Sequence, residues 1–223
     1  MDEKRSLSTV GRWWRRVWPW LGGVALAGVL TLKFPLFHVV PLEQGRQRLQ
    51  GERFDAEAFV ERFWREQLLP AESRAVEVAA LLAGLREDPE QTIQRHGHRL
   101  GVSRTVGFLV RGRGVVVSVD ENQVGLALEP GGPVAILIEL GPVFGNTIRD
   151  GCGLVDVNDF PDSRDFNAIS AALNRRVEEQ VLPELRAGAK PGTVVEFAGC
   201  VDIADPSRDV APLRVVPFKV AFP

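Results

Sequence analysis

The chain has 223 residues, 45% hydrophobic and 25% charged, with two cysteines. That is enough apolar side chain to build a core without structural metals or a disulfide scaffold. The net charge of −2 divides into +3 over residues 1–16 and −5 beyond them, and this mildly acidic body excludes nucleic acid as a partner, because nucleic acid needs a concentrated basic face.

Residues 1–40 have the order of a membrane-targeting segment: basic flank, apolar run, polar exit. Val17 to Leu32 is uncharged and as a helix extends about 24 Å at ~1.5 Å per residue. Lys33 can snorkel to the interface, so residues 17–33 are expected to span the membrane. Trp13, Trp14, Trp18 and Trp20 gather at the basic end, where amphipathic rings suit the headgroup layer. The positive flank stays in the cytoplasm, which places residue 40 onward in the periplasm or outside. The alternative is a cleaved leader ending near Ala25-Leu26-Ala27.

Residues 41–100 are expected to form a small helical subdomain. Asp55 caps an amphipathic helix with Ala58, Phe59, Phe63 and Trp64 inward, and Pro70 interrupts it. ESRAVEVAALLAGLRE follows, with Val76, Ala79, Ala80 and Leu82 or Ala83 as its stripe. Asp88, Pro89 and Gly97 mark the cap, first turn and stop of a third helix. His96 and His98 flank Gly97 with no acid or thiol beside them, which favours a solvated helix end over a metal site.

From 101 to 223 the period changes to that of strands. TVGFLVRG, GVVVSVDEN, QVGLALEP and PVAILIELG are short apolar runs bounded by Gly, Pro or Asn. Arg111-Gly112-Arg113-Gly114 reads as a hairpin turn between the first two. A long helix from Ser163 or Arg164 to about Leu185 carries Phe166, Ile169, Leu173, Val177 and Val181 on one face. TVVEFAGCVDI and PLRVVPFKVAF close the set. The fold class expected is α+β: anchor helix, helical subdomain, then an OB-like barrel with one long inserted helix.

The densest polar run is Gly141 to Asn174. Arg149 and Asp150, read as strand neighbours, point to opposite faces and need separate partners. They form either a polar-ligand clamp or a charge network tying the strands to the long helix through Asp159 or Asn167. Asn167 and Asn174 are seven apart and share a helix face. With Phe160 and Phe166 near, they make a small polar-ligand site conceivable. Asp156, Asn158, Asp159, Asp162 and Asp165 lack the glycine and glutamate of a calcium loop and read as a solvated, helix-capping loop. Cys152 and Cys200 either pair outside the cytoplasm or remain buried free thiols. Ser163, Ser170 and His96 fit no nucleophile motif, and no zinc spacing, phosphate loop or dinucleotide fingerprint is present, so neither metal nor cofactor is expected.

GPVFGNTIRD, DVNDFPDSRDFNAISAALN, KPGTVVEFAGCVDI and RVVPFKV resemble the bacterial domain-of-unknown-function 2291 family of predicted periplasmic lipoproteins. The matching positions are Gly141, Pro142, Gly145, Thr147, Arg149, Asp150, Phe160, Asn167, Leu173 and Asn174, and the likeness runs from about residue 38 to 222. It implies a helical subdomain followed by an OB-like domain, residence in the cell envelope, and association with carbohydrate ABC transporters. It implies no catalytic residues, so a non-enzymatic accessory is expected. Members typically carry a lipidated cysteine before a Val-Pro stretch; here His38 stands at that place in FHVVPLE, so the apolar helix is the expected anchor.

Overall fold

The computed structural model describes residues 54–99, 103–160 and 162–223; the expected span over residues 17–33 lies outside them. Among the described residues no helix is long and apolar enough to cross a membrane.

Asp55 caps α1 (Ala56–Phe63) by accepting the amide of Ala58 at 3.0 Å. Val60, Phe63 and Trp64 are its buried face, while Ala58 is exposed. The helix does not stop before Pro70. A π turn (Trp64–Leu68) carries it into α2 (Leu69–Ala71). The same device recurs in the long helix, where α6 (Ser163–Arg176) passes through a π turn (Val177–Val181) into α7 (Leu182–Gly188), which contains Pro183. Proline offers no N–H to the preceding turn, and widening that turn lets the helix continue past it.

The second helical stretch differs from its expected register. Val76 and Glu77 form a short strand, β1, pairing in parallel with Val110 and Arg111. Only from Val78 does α3 (Val78–Glu87) begin, burying Val78, Leu81, Leu82 and Leu85 and exposing Ala79, Ala80 and Ala83. Fixing Val76 in the sheet rotates the buried stripe away from the alanines. Asp88 then caps α4 (Pro89–His96), accepting the Gln91 amide at 2.9 Å, and Gly97 ends it.

Arg111–Gly114 is not a turn. It lies within one 14-residue strand, β2 (Val106–Val119), in register with β5 (Val194–Ile203) from Val106↔Ile203 to Val115↔Val194. Gly112 is there because of crowding: a Cβ on it would stand 2.7 Å from Val78 and 3.0 Å from Phe197. Sequence shows glycine as a break; in a packed strand it also marks close approach.

Strands β3 (Gln123–Ala127), β4 (Ile136–Glu139) and β6 (Leu213–Ala221) complete the sheet. The pairings run β2–β3, β3–β4, β4–β6, β6–β5 and back from β5 to β2, with β1 on the flank of β2. Only β4–β6 and β1–β2 are parallel. Pro217 sits inside β6 where the register with β5 shifts at Ala198/Gly199, the place where a missing ladder donor is tolerated. Buried residues of α1, α3, α6 and the sheet belong to one apolar cluster, including Leu68, Leu81, Phe108, Ile138, Leu173 and Phe218.

Candidate functional site

The centre of the polar run is a helical turn, α5 (Thr147–Gly151), and not a strand. It lies directly on the sheet because two glycines admit it. A Cβ on Gly107 of β2 would fall 2.5 Å from the Gly151 Cα, and one on Gly151 would fall 2.9 Å from the Cys200 Cβ. Thr147 Oγ1 also donates to Asp202 Oδ2 of β5 at 2.7 Å.

Helical geometry changes the partners of Arg149. Its side chain is 3% exposed. Nε donates to Asp150 Oδ1 at 2.7 Å, and Nη1 donates to the Phe166 carbonyl at 3.0 Å and to Asn167 Oδ1 at 3.3 Å. The guanidinium carbon stands 3.7 Å from the centroid of the Phe166 ring, a stacked cation–π arrangement. Arg149, Asp150 and Asn167 are therefore brought together, and Arg149 bolts α5 to the start of α6. Asp159 is not part of this group. It ends a 3-10 turn (Val157–Asp159) and is exposed. Asp156 and Asp162 accept the amides of Asn158 and Arg164, both at 2.8 Å. Among the described residues no group of three His, Cys, Asp or Glu side chains is arranged to hold a metal ion.

Asn174 serves the other end of the run. Its amide donates to the Gly145 carbonyl at 3.0 Å, and one helical turn later Glu178 Oε1 accepts the Val143 amide at 2.7 Å. Arg186, two turns further, donates to the Leu140 carbonyl. Three side chains of the long helix thus hold the loop 140–146. At its apex Phe144 is 80% exposed.

Between this loop and α6 lies an open groove of about 450 Å³, lined by Phe144, Asn146, Asn167, Ser170, Asn174 and neighbouring residues. Ser170 is 5% exposed, and its hydroxyl has no partner among the described residues. The usual partner of a helical serine is the carbonyl four residues back. Here that is the Phe166 carbonyl, which already accepts Arg149 Nη1. The joint thus leaves this hydroxyl without its usual acceptor, buried behind the groove lining. The Asn167 amide nitrogen and the Asn174 amide oxygen likewise have no protein partner among the described residues, since Asn167 Oδ1 and Asn174 Nδ2 carry the bonds above.

Sequence pattern does not single out Phe144, and it names Ser170 only as fitting no nucleophile motif. An aromatic between two turn glycine segments, and a serine at i+3 from Asn167 and i−4 from Asn174, were the available signals.

Cys152 and Cys200 are both free and buried. Cys152 Sγ donates to the Arg149 carbonyl at 3.3 Å and Cys200 Sγ to the Ile148 carbonyl at 3.8 Å. Burial pushes the Cys152 thiol up to about 11 and Cys200 well above its ordinary value, so neither is a nucleophile at neutral pH.

The strand order, with a helix between the third and fourth strands of the closed set, defines an OB-fold domain. A crystal structure of an OB-fold protein from Thermotoga maritima is similar to it, with a TM-score of 0.66 and 22% identity, covering 77% of this chain and all of that one. The chain belongs to the domain-of-unknown-function 2291 family of predicted periplasmic lipoproteins, which matches residues 26–221. No curated protein matches it.

Proposed function

We propose that the protein is a membrane-anchored, periplasm-facing binding module that holds a small polar ligand in the groove between loop 140–146 and α6, as an accessory of a carbohydrate ABC importer. The observation that carries the binding reading is the groove itself, where the Asn167 and Asn174 amides each keep one polar atom without a protein partner among the described residues. A bound hydroxyl or amide that satisfies them gains about 0.5–1.5 kcal/mol per hydrogen bond. The exposed Phe144 ring, on a loop held by three side chains, supplies an apolar face beside those polar groups. Anchorage through residues 17–33 and the importer association rest on the sequence order and on the family resemblance.

Thermal-shift measurements with sugars, polyols and amino acids test the binding reading. A ligand that raises the melting temperature of the wild type, but not of Asn167→Leu, supports it. No stabilisation by any of these at millimolar concentration ends it. The importer association is tested separately by sugar uptake in a deletion strain, and unchanged uptake of every sugar tested ends that part alone.

A further inference from the structure

The residues set aside as a solvated helix end acquire neighbours in the fold. Arg74 from the 3-10 turn (Glu72–Arg74), Arg95 and His96 from α4, and His98 line one cavity of about 180 Å³, with Leu109 and Cys152. No carboxylate lines it. Neither Arg74 nor Arg95 has an acidic partner among the described residues, where nine of the eighteen lysines and arginines form ion pairs. Like charges at close range repel. The repulsion is felt at His98, whose pKa is held below its ordinary value by burial and then by Arg74. On the far side of His98 a separate depression carries Asp150, Asp156, Asp159 and Arg99. None of these acids lines the cavity, although the two depressions share His98, Gly153 and Leu154, and Asp150 is already paired with Arg149. The His98 ring covers Gly153, where φ is +64° and a Cβ would stand 2.4 Å from Nδ1. That glycine lets the imidazole sit at the rim, between the two depressions.

We infer that the cavity bounded by Arg74, Arg95, His96 and His98 is a binding site for a phosphate- or sulfate-like oxyanion. Its volume admits one such group. Two guanidinium forks and two imidazoles supply charge-assisted donors in several directions. Occupation adds a counter-charge, so it favours the protonated form of His98. Binding therefore tightens as pH falls through the histidine range. The oxyanion is either free in solution or the phosphate of a lipid headgroup.

The probe is sulfate, whose charge is constant over this range, titrated into the full chain in neutral detergent. Expected are weak binding, on the order of millimolar, and an upward shift of the His98 pKa, read from its imidazole signals by NMR. In R74Q/R95Q the sulfate dissociation constant rises by about tenfold or more, the loss of charge-assisted bonds. Both arginines are exposed and have no ion pair among the described residues, and Arg95 donates only to Gln91, so the variant is expected to melt like the wild type. Sulfate that leaves the His98 titration unmoved in the wild type overturns the proposal. So does a folded double variant that binds sulfate as the wild type does. With sulfate binding established, sedimentation with phosphatidylcholine vesicles containing phosphatidylglycerol separates the sources. Retention that the double variant loses assigns the site to a headgroup, and no retention assigns it to a free oxyanion.

Discussion

Arg149→Met is the sharpest test of how this fold is joined. The substitution keeps a long apolar stem and removes the guanidinium. Three bonds are lost, to Asp150, the Phe166 carbonyl and Asn167, together with the stacking on Phe166. Removing one partner of a buried charge pair costs about 3–5 kcal/mol. Asp150 keeps 26% of its side chain exposed and recovers some hydration, which places the loss at the lower end, about 3 kcal/mol. The freed Phe166 carbonyl offers Ser170 its ordinary i−4 partner, which offsets part of the remaining cost. For a folded unit of this size that is about 6–12 °C in melting temperature, at ~2–4 °C per kcal/mol. The assay is urea unfolding of the full chain, followed by circular dichroism, with Asp159→Asn as the control. Asp159 is exposed and outside the network, so its substitution stays within about 0.5 kcal/mol. A loss for Arg149→Met below about 1 kcal/mol, or one equalled by Asp159→Asn, refutes the joint.

Gly107→Ala is expected to destabilise by about 1–3 kcal/mol through overpacking, because the new methyl meets Gly151 backbone at 2.5 Å and no side chain can swing aside. An unfolding midpoint equal to the wild type shows that α5 does not rest on β2 as described. Asp202 has its pKa raised, chiefly by desolvation and partly by Asp150, against the lowering effect of the Thr147 hydroxyl. Its folded value lies above its unfolded one, so its protonated form stabilises the protein at low pH, and that contribution disappears as pH rises through the raised value. Asp202→Asn, which can still accept from Thr147, is expected to melt above the wild type at neutral pH, with the difference closing in acid. A difference independent of pH contradicts the assignment.

Much of the architecture is written in local pattern. Asp55, Asp88 and Asp162 cap the helices they precede, since capping depends only on the next three residues. The stripe Phe166, Ile169, Leu173, Val177 and Val181 is buried as its spacing requires. The strands around Val106, Gln123, Ile136, Val194 and Leu213 are where alternating and apolar runs place them. Misreadings came where one residue type has two physical uses. Glycine in Arg111–Gly114 serves close packing inside a strand, and Pro70, read as an interruption, is absorbed by a π turn. Arg149-Asp150, taken for a strand, becomes a helical turn because glycines at 107 and 151 open room for one on the sheet.

By itself, then, the sequence determined the helix caps, the long amphipathic helix, most of the strands, the family and the polar stretch between Gly141 and Asn174, because capping, periodicity and motif spacing are short-range properties. Which of those polar groups meet was decided only in three dimensions. Arg149 reaches a carbonyl 17 residues away, and in doing so leaves the Ser170 hydroxyl without its usual acceptor. Arg74 and Arg95 reach the same cavity as His96 and His98 only because the 3-10 turn (Glu72–Arg74) is brought beside α4. Such meetings depend on packing between segments distant in the chain, and no local pattern encodes them.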